Sequence, residues 1–291
     1  MKLFADTADH NELSECFDRE VNDGITTNPK IMENAGVSNF KRACRAILER
    51  YPNVPVSLET DLRGIPVSEI SDRSKEVRDV LLEQAHEITR WASNVVVKIP
   101  ICYGGILAVK ELHRDGINTN VTGCMTSYQA LAAANAGATY VSLFANRMLD
   151  ANIIELSGRD LEATLADLEW KDLVKTTLAE HRELAWRKTL ADIAYVADTL
   201  ERDYGTTELI VGSIRDAHDI YRIQTAQPQI ITVPHKIALD LDGIKRLKRP
   251  ISRMHANLVT GEQSLYHPMT SYTLEEFEKA ADSYRPTIVH Q

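Results

Sequence analysis

The chain has 291 residues, of which 44% are hydrophobic and 26% charged, with a formal net charge of −9. These values predict a soluble globular protein with a full core, in the size range of one α/β barrel. They leave no basic excess to neutralise a nucleic-acid backbone, which excludes a general nucleic-acid binder. An anionic small substrate stays open if a few local arginines or lysines act against the prevailing negative field.

The opening MKLFADTADH has no apolar stretch that predicts a signal peptide or a membrane span. Cys16, Cys44, Cys102 and Cys124 are scattered with no CxxC pair. No disulfide framework or zinc site is predicted; reduced thiols in a cytoplasmic protein are expected.

In chain order the short apolar, β-branched runs are LFADT (3–7), GITT (24–27), VPVSLE (54–59), VVVKIP (95–100), NTNVTG (118–123), YVSLF (140–144), ELIVGS (208–213) and IITVP (230–234). Runs of this kind suit strands buried on both faces of a parallel sheet. Between them lie segments with helical spacing, among them 39–50, 74–92, 103–116 and 127–138. Gly116 and Gly137 follow two of these, where a left-handed C-cap is wanted. Eight alternations predict an α/β fold, a single (β/α)8 TIM barrel over residues 1–291. An open doubly wound sheet is the rival, but no glycine-rich fingerprint follows the first strand. Residues 151–188 read as a charged, largely helical insertion after strand six, 241–266 as a second extra stretch, and TLEEFEKAADSY as an amphipathic C-terminal helix.

The ends of these runs are polar. Asp6 ends the first; Thr26, Thr27 and Asn28 end the second; Glu59 ends the third and Lys98 the fourth. Asn120 and Thr122 end the fifth, Ser142 the sixth with Arg147 beyond it, and Ser213 the seventh, followed by Arg215. A barrel brings these ends to one face, where catalytic residues come from several strands. As plain core packing, two carboxylates, a lysine and two arginines would be costly.

Lys98 sits inside an apolar run. Desolvation disfavours a charged amine and favours the neutral nucleophile that attacks a ketone. The resulting iminium is an electron sink that permits cleavage between the carbons α and β to the former carbonyl. That cleavage needs a base for the β-hydroxyl, and Asp6 and Glu59 are the candidates. Each has a plainer reading as well: Asp6 as a cap of the first helix, Glu59 as a strand-end ion pair. Thr122 and Asn120 are short hydrogen-bonders that suit either a water and substrate hydroxyls or a turn. Arg147 and Arg215 lie on late loops, a frequent phosphate site in barrels, or serve in surface ion pairs.

Taken together, LFADTAD, DGITTNPKIM, NVVVKIP, INTNVTG, SYQAL, AGATYVSLFANR, VGSIR, TVPHK and HPMTSYTLEEFEKA resemble the transaldolase and fructose-6-phosphate aldolase family, in family order and over nearly the whole chain. The resemblance implies Lys98 as the Schiff-base lysine and Asp6 as its acid/base partner. It makes Glu59 and Thr122 the holders of the catalytic water. It implies that Asn28 and Asn120, with Thr27 and Ser142, contact substrate, and that Arg147 and Arg215, beside Ser213, bind phosphate. Glu59 and Phe144 stand where the aldolases of the family carry glutamine and tyrosine. Both choices favour transfer of a dihydroxyacetone unit to an aldose over its release.

The implied substrates are phosphorylated or otherwise anionic sugars, with no metal or organic cofactor and a homo-oligomeric assembly. Cys102 and Tyr103, and Gly123, Cys124 and Met125, depart from the family pattern. They keep open a different anionic ketose, such as a sulfo-sugar. An aldolase that releases dihydroxyacetone is a second alternative, and a non-catalytic barrel a third.

Overall fold

The computed structural model describes residues 1–176, 178–241 and 264–284. Eight parallel strands close on themselves in sequence order: β1 (Lys2–Asp6), β2 (Gly24–Thr26), β3 (Val56–Glu59), β4 (Val95–Pro100), β5 (Thr119–Cys124), β6 (Tyr140–Phe144), β7 (Glu208–Gly212) and β8 (Ile230–Pro234), with β8 pairing to β1. The α/β barrel read from the alternation is the observed fold. Three predicted runs coincide with their strands, and the rest differ at one end or both.

The interior is built in layers, because successive side chains on a strand face opposite ways. Phe4, Val96, Tyr140, Ile210 and Ile230 form a separate apolar cluster inside the barrel, with Phe4 edge-on to Tyr140. Two residues further along each strand, on the same face, stand Asp6, Lys98, Ser142, Gly212 and Thr232, which all line one cavity. The apolar plug thus sits directly beneath the polar mouth. Gly24 belongs to the plug layer of β2, where an added Cβ would lie 2.6 Å from the Phe4 ring. Gly24→Ala is therefore expected to destabilise the barrel by about 1–3 kcal/mol through overpacking. Urea unfolding measures it, and an unchanged midpoint would show that Phe4 can yield.

Local signals account for many of the boundaries. Gly116 and Gly137 take positive φ values of 72° and 96° after their helices. Asp9, not Asp6, caps the helix His10–Asp18, accepting from the backbone of Asn11 and Glu12. The capping role considered for Asp6 thus falls to Asp9, and Asp6 lines the mouth. Asn28 caps Pro29–Asn34 through a hydrogen bond from the Ile31 N–H.

After β6 the chain runs through the helices Ala145–Leu156, Leu161–Leu165, Trp170–Lys175 and Arg182–Asp203 before β7. Buried Trp170, Val174, Leu178 and Trp186 tie the predicted insertion to the main core. Most of the second extra stretch, 241–266, lies outside the described residues.

The predicted C-terminal helix is observed over Pro268–Ala281. It lies across the mouth of the barrel. Met269, Leu274 and Phe277 are buried, Thr270 Oγ1 donates to the Gly123 carbonyl at 3.0 Å, and the Leu62 N–H donates to Glu278 at 2.6 Å. Among the described residues no helix is long and apolar enough to cross a membrane.

Candidate active site

A cavity of about 190 Å3 opens at the C-terminal ends of the strands. Lys98 and Glu59 are register partners on adjacent strands. Both are 4% exposed, and Lys98 Nζ lies 2.8 Å from Glu59 Oε2. The same ammonium donates to the Thr27 carbonyl at 2.9 Å. Phe277 of the C-terminal helix roofs the lysine, with Nζ 5.9 Å from its ring centroid, and Phe144 packs against Phe277. The amine is thus held by one charge, one carbonyl and one aromatic face.

Asp6 enters from β1. Thr26 Oγ1 donates to Asp6 Oδ1 at 2.6 Å and also contacts the Thr232 hydroxyl. Burial raises the Asp6 carboxyl above its ordinary value, against the lowering influence of Thr26, Lys98 and Thr232. Burial likewise raises Glu59; Lys98 opposes that shift and the negative charge of Asp6 adds to it. Carboxyls raised in this way can accept and return a proton nearer neutrality than exposed ones.

The predicted hydrogen-bonders divide into two groups. Ser142 and Ser213 line the cavity, as do Asn28, Phe144 and Arg147. Thr27 and Asn120 sit behind it, fully buried. The Thr27 hydroxyl donates to the Ser57 carbonyl at 2.9 Å, so this residue offers the lysine its backbone and turns its side chain away. Asn120 bridges Ser57, at 3.2 Å, and Ser142, at 2.7 Å, and holds the Ser142 hydroxyl at the cavity wall. Thr122 pairs in register with Pro100, two residues past Lys98. Its Oγ1 is buried with no hydrogen-bond partner among the described residues. An unsatisfied buried hydroxyl costs about 1–3 kcal/mol, which makes it a natural seat for a bound water.

The two arginines are not equivalent. Arg147 lines the cavity, with Nη2 2.6 Å from Glu276 of the C-terminal helix. Arg215 grips buried Asp150 with both terminal nitrogens and stands back from the cavity wall. Ser213, between β7 and Arg215, has a positive φ of 61°, and its carbonyl accepts from Asn146 at 2.7 Å.

Sequence reading passes over Thr232, Lys30, Ile31 and Phe277, which also line the cavity. Thr232 is recoverable from period-2 alternation past Ile230. Phe277 is not, because it arrives from the far end of the chain. Among the described residues no group of His, Cys, Asp and Glu is placed to hold a metal ion.

Barrels of this architecture carry their chemistry at the C-terminal strand ends. A roofed lysine stands there with the carboxyls of Asp6 and Glu59, groups suited to nucleophilic and acid–base chemistry of the aldolase or transferase type. The Transaldolase/Fructose-6-phosphate aldolase family model matches residues 3–288. The chain belongs to that family. It is 30% identical over 286 residues to a probable transaldolase of Streptococcus agalactiae, covering 98% of this chain and 99% of that one. A probable transaldolase of Dehalococcoides mccartyi is 30% identical over 83% of this chain and 90% of its own. One from Herpetosiphon aurantiacus reaches 40% over 150 residues, which are 52% of this chain and 61% of the relative.

Proposed function

We propose that the protein is a transaldolase, one barrel domain over 1–291, that moves a dihydroxyacetone unit from a ketose phosphate to an aldose through a Schiff base on Lys98. The observation that carries this reading is the placement of Lys98: 4% exposed, 2.8 Å from Glu59, in the cavity that also holds Asp6. Glu59 takes the ammonium proton, and the neutral amine attacks the ketone carbon. A water between Glu59 and Thr122 relays protons while the carbinolamine loses hydroxide as water and becomes the iminium. Asp6 removes the proton of the β-hydroxyl, the carbon–carbon bond breaks, its electron pair moves toward the iminium nitrogen, and the aldehyde half leaves. The enamine stays on Lys98 beneath Phe277 until an acceptor aldehyde binds and the steps reverse.

Phe144 supports transfer over release. It puts a phenyl ring on the cavity wall, so position 144 has no phenol hydroxyl to deliver a proton to the enamine. The iminium supplies the electron sink, so the cycle draws on no metal or organic cofactor. The reading includes anionic sugars as substrates and a cytoplasmic homo-oligomer as the working form.

Borohydride reduction in the presence of fructose 6-phosphate, followed by mass spectrometry of the peptide holding Lys98, tests it. A dihydroxyacetone-sized adduct on Lys98 is expected. A folded protein that traps neither fructose 6-phosphate nor other ketoses would refute it. Arg147, the arginine on the cavity wall, is assigned to the phosphate. Arg147→Gln should raise KM for fructose 6-phosphate about 10- to 100-fold, the range for losing a charged hydrogen bond to an anion. The half-saturation of Lys98 trapping by dihydroxyacetone should not move. Equal losses for both would remove Arg147 from anion binding.

A further inference from the structure

Both late arginines are already neutralised within the protein. Arg215 is committed to Asp150, which is 2% exposed. Arg147, on the cavity wall, is committed to Glu276. A carboxylate presents a guanidinium with the same planar pair of acceptors as one face of a phosphoryl or sulfonyl group. Glu276 meets Arg147 through one oxygen, Oε2, and so engages the guanidinium that an anionic substrate in the cavity would need.

The insertion supplies an answering charge. Lys171, at the start of Trp170–Lys175, lies 3.3 Å from Glu276 Oε1, the oxygen that also accepts from the Tyr272 hydroxyl at 2.9 Å. Its ammonium stands 5.6 Å from the ring centroids of both Trp170 and Tyr272, which meet edge to face. Trp170 is buried, so the lysine is anchored on a fixed platform and not loose on the surface. Arg147 rests 5.6 Å from the other partner of that platform, Tyr272. Arg147 and Glu276 alone sum to zero charge. With Lys171 the cluster carries one surplus positive charge beside the cavity.

We propose that Lys171 is a positioning residue for anion recognition: it holds Glu276 by one oxygen so that Arg147 can release the other and take the substrate's tetrahedral anion. The insertion after β6 thereby sets the preference for charged sugars. This inference rests on the assignment of Arg147 to the anion in the function proposed above. On it, Glu276 is a competitor that the substrate must displace, and Lys171 lowers the barrier to displacement.

The test compares Lys171→Met, Glu276→Gln and the double variant. The side chain of Lys171 is half-exposed, so the fold should survive, and circular dichroism checks this. Lys171→Met is expected to raise KM for fructose 6-phosphate roughly fivefold, the scale of a half-exposed ion pair, with kcat unchanged. Half-saturation of borohydride trapping by neutral dihydroxyacetone should stay at the wild-type value. In the Glu276→Gln background the same lysine change should be silent, because the charge on which it acts is gone. An unchanged KM in Lys171→Met, an equal weakening of dihydroxyacetone, or a full lysine effect that persists without Glu276 would each overturn the proposal. Wild-type protein that forms no Lys98 adduct with either probe would instead overturn the function reading, and this inference with it.

Discussion

Lys98→Met is expected to abolish transfer from fructose 6-phosphate, by more than about 10⁴-fold, since loss of a covalent nucleophile removes the pathway and not one contribution to it. No borohydride adduct should form on the variant with any ketose. The fold should persist, because methionine fills the lysine's volume in a site roofed by Phe277, but the pH dependence of its stability should steepen toward neutrality.

Glu59 then stands buried without its counter-charge. Removing one partner of a buried pair costs about 3–5 kcal/mol while the other stays ionised. In the wild type the Glu59 carboxyl is already above its ordinary 4.5, so between that value and its folded value the native state binds more protons than the unfolded chain. Stability from this group therefore falls as pH rises through the window. Without Lys98 the folded value moves higher and the fall extends further toward neutrality. Urea unfolding at pH 5 and pH 7.5 reads the effect: the deficit of Lys98→Met against wild type should be larger at the higher pH. An equal deficit at both would mean that Glu59 does not depend on Lys98 for its charge.

The second large effect separates imine formation from bond cleavage. Asp6→Asn keeps the side-chain oxygen that Thr26 approaches at 2.6 Å, so the mouth should hold its shape. It removes the base that takes the β-hydroxyl proton. Turnover should fall about 10²- to 10⁴-fold, the range for a general base. Borohydride should still trap sugar on Lys98, but the adduct should now carry the whole ketose phosphate in place of the dihydroxyacetone unit. A dihydroxyacetone-sized adduct formed at the wild-type rate would take Asp6 out of the cleavage step. Loss of every adduct would move it to imine formation.

The role of Asp6 shows what a linear reading can and cannot separate. In ADTADHNEL, Asp6 is a candidate for capping the first helix as well as for the site, and spacing alone does not choose. The cap falls to Asp9, whose carboxylate meets the N–H groups of Asn11 and Glu12, while strand periodicity turns Asp6 into the barrel above Phe4. Thr27 and Asn120 show the reverse. Both lie at strand ends and are expected to touch substrate, yet each faces other protein groups, Thr27 the Ser57 carbonyl and Asn120 the Ser57 and Ser142 hydroxyls. Period-2 alternation predicts a face but not whether a hydrogen bond on that face is already taken.

The sequence by itself determined the barrel, the chain order of its eight strands, the left-handed caps at Gly116 and Gly137, and the set of strand ends that holds Lys98, Asp6 and Glu59. These follow from local rules: apolar runs buried on two faces, helical spacing between them, and the freedom of glycine at positive φ. Only the tertiary structure decided how those residues are paired. It set Lys98 beside Glu59 through strand register, put Arg147 on Glu276 and Arg215 on Asp150, brought Phe277 to the mouth from the C-terminal helix, and set Lys171 of the insertion against Glu276. Such pairings join residues up to well over a hundred positions apart. They depend on distances of a few ångströms, over which charge and hydrogen-bond interactions change steeply, and no local pattern encodes those distances.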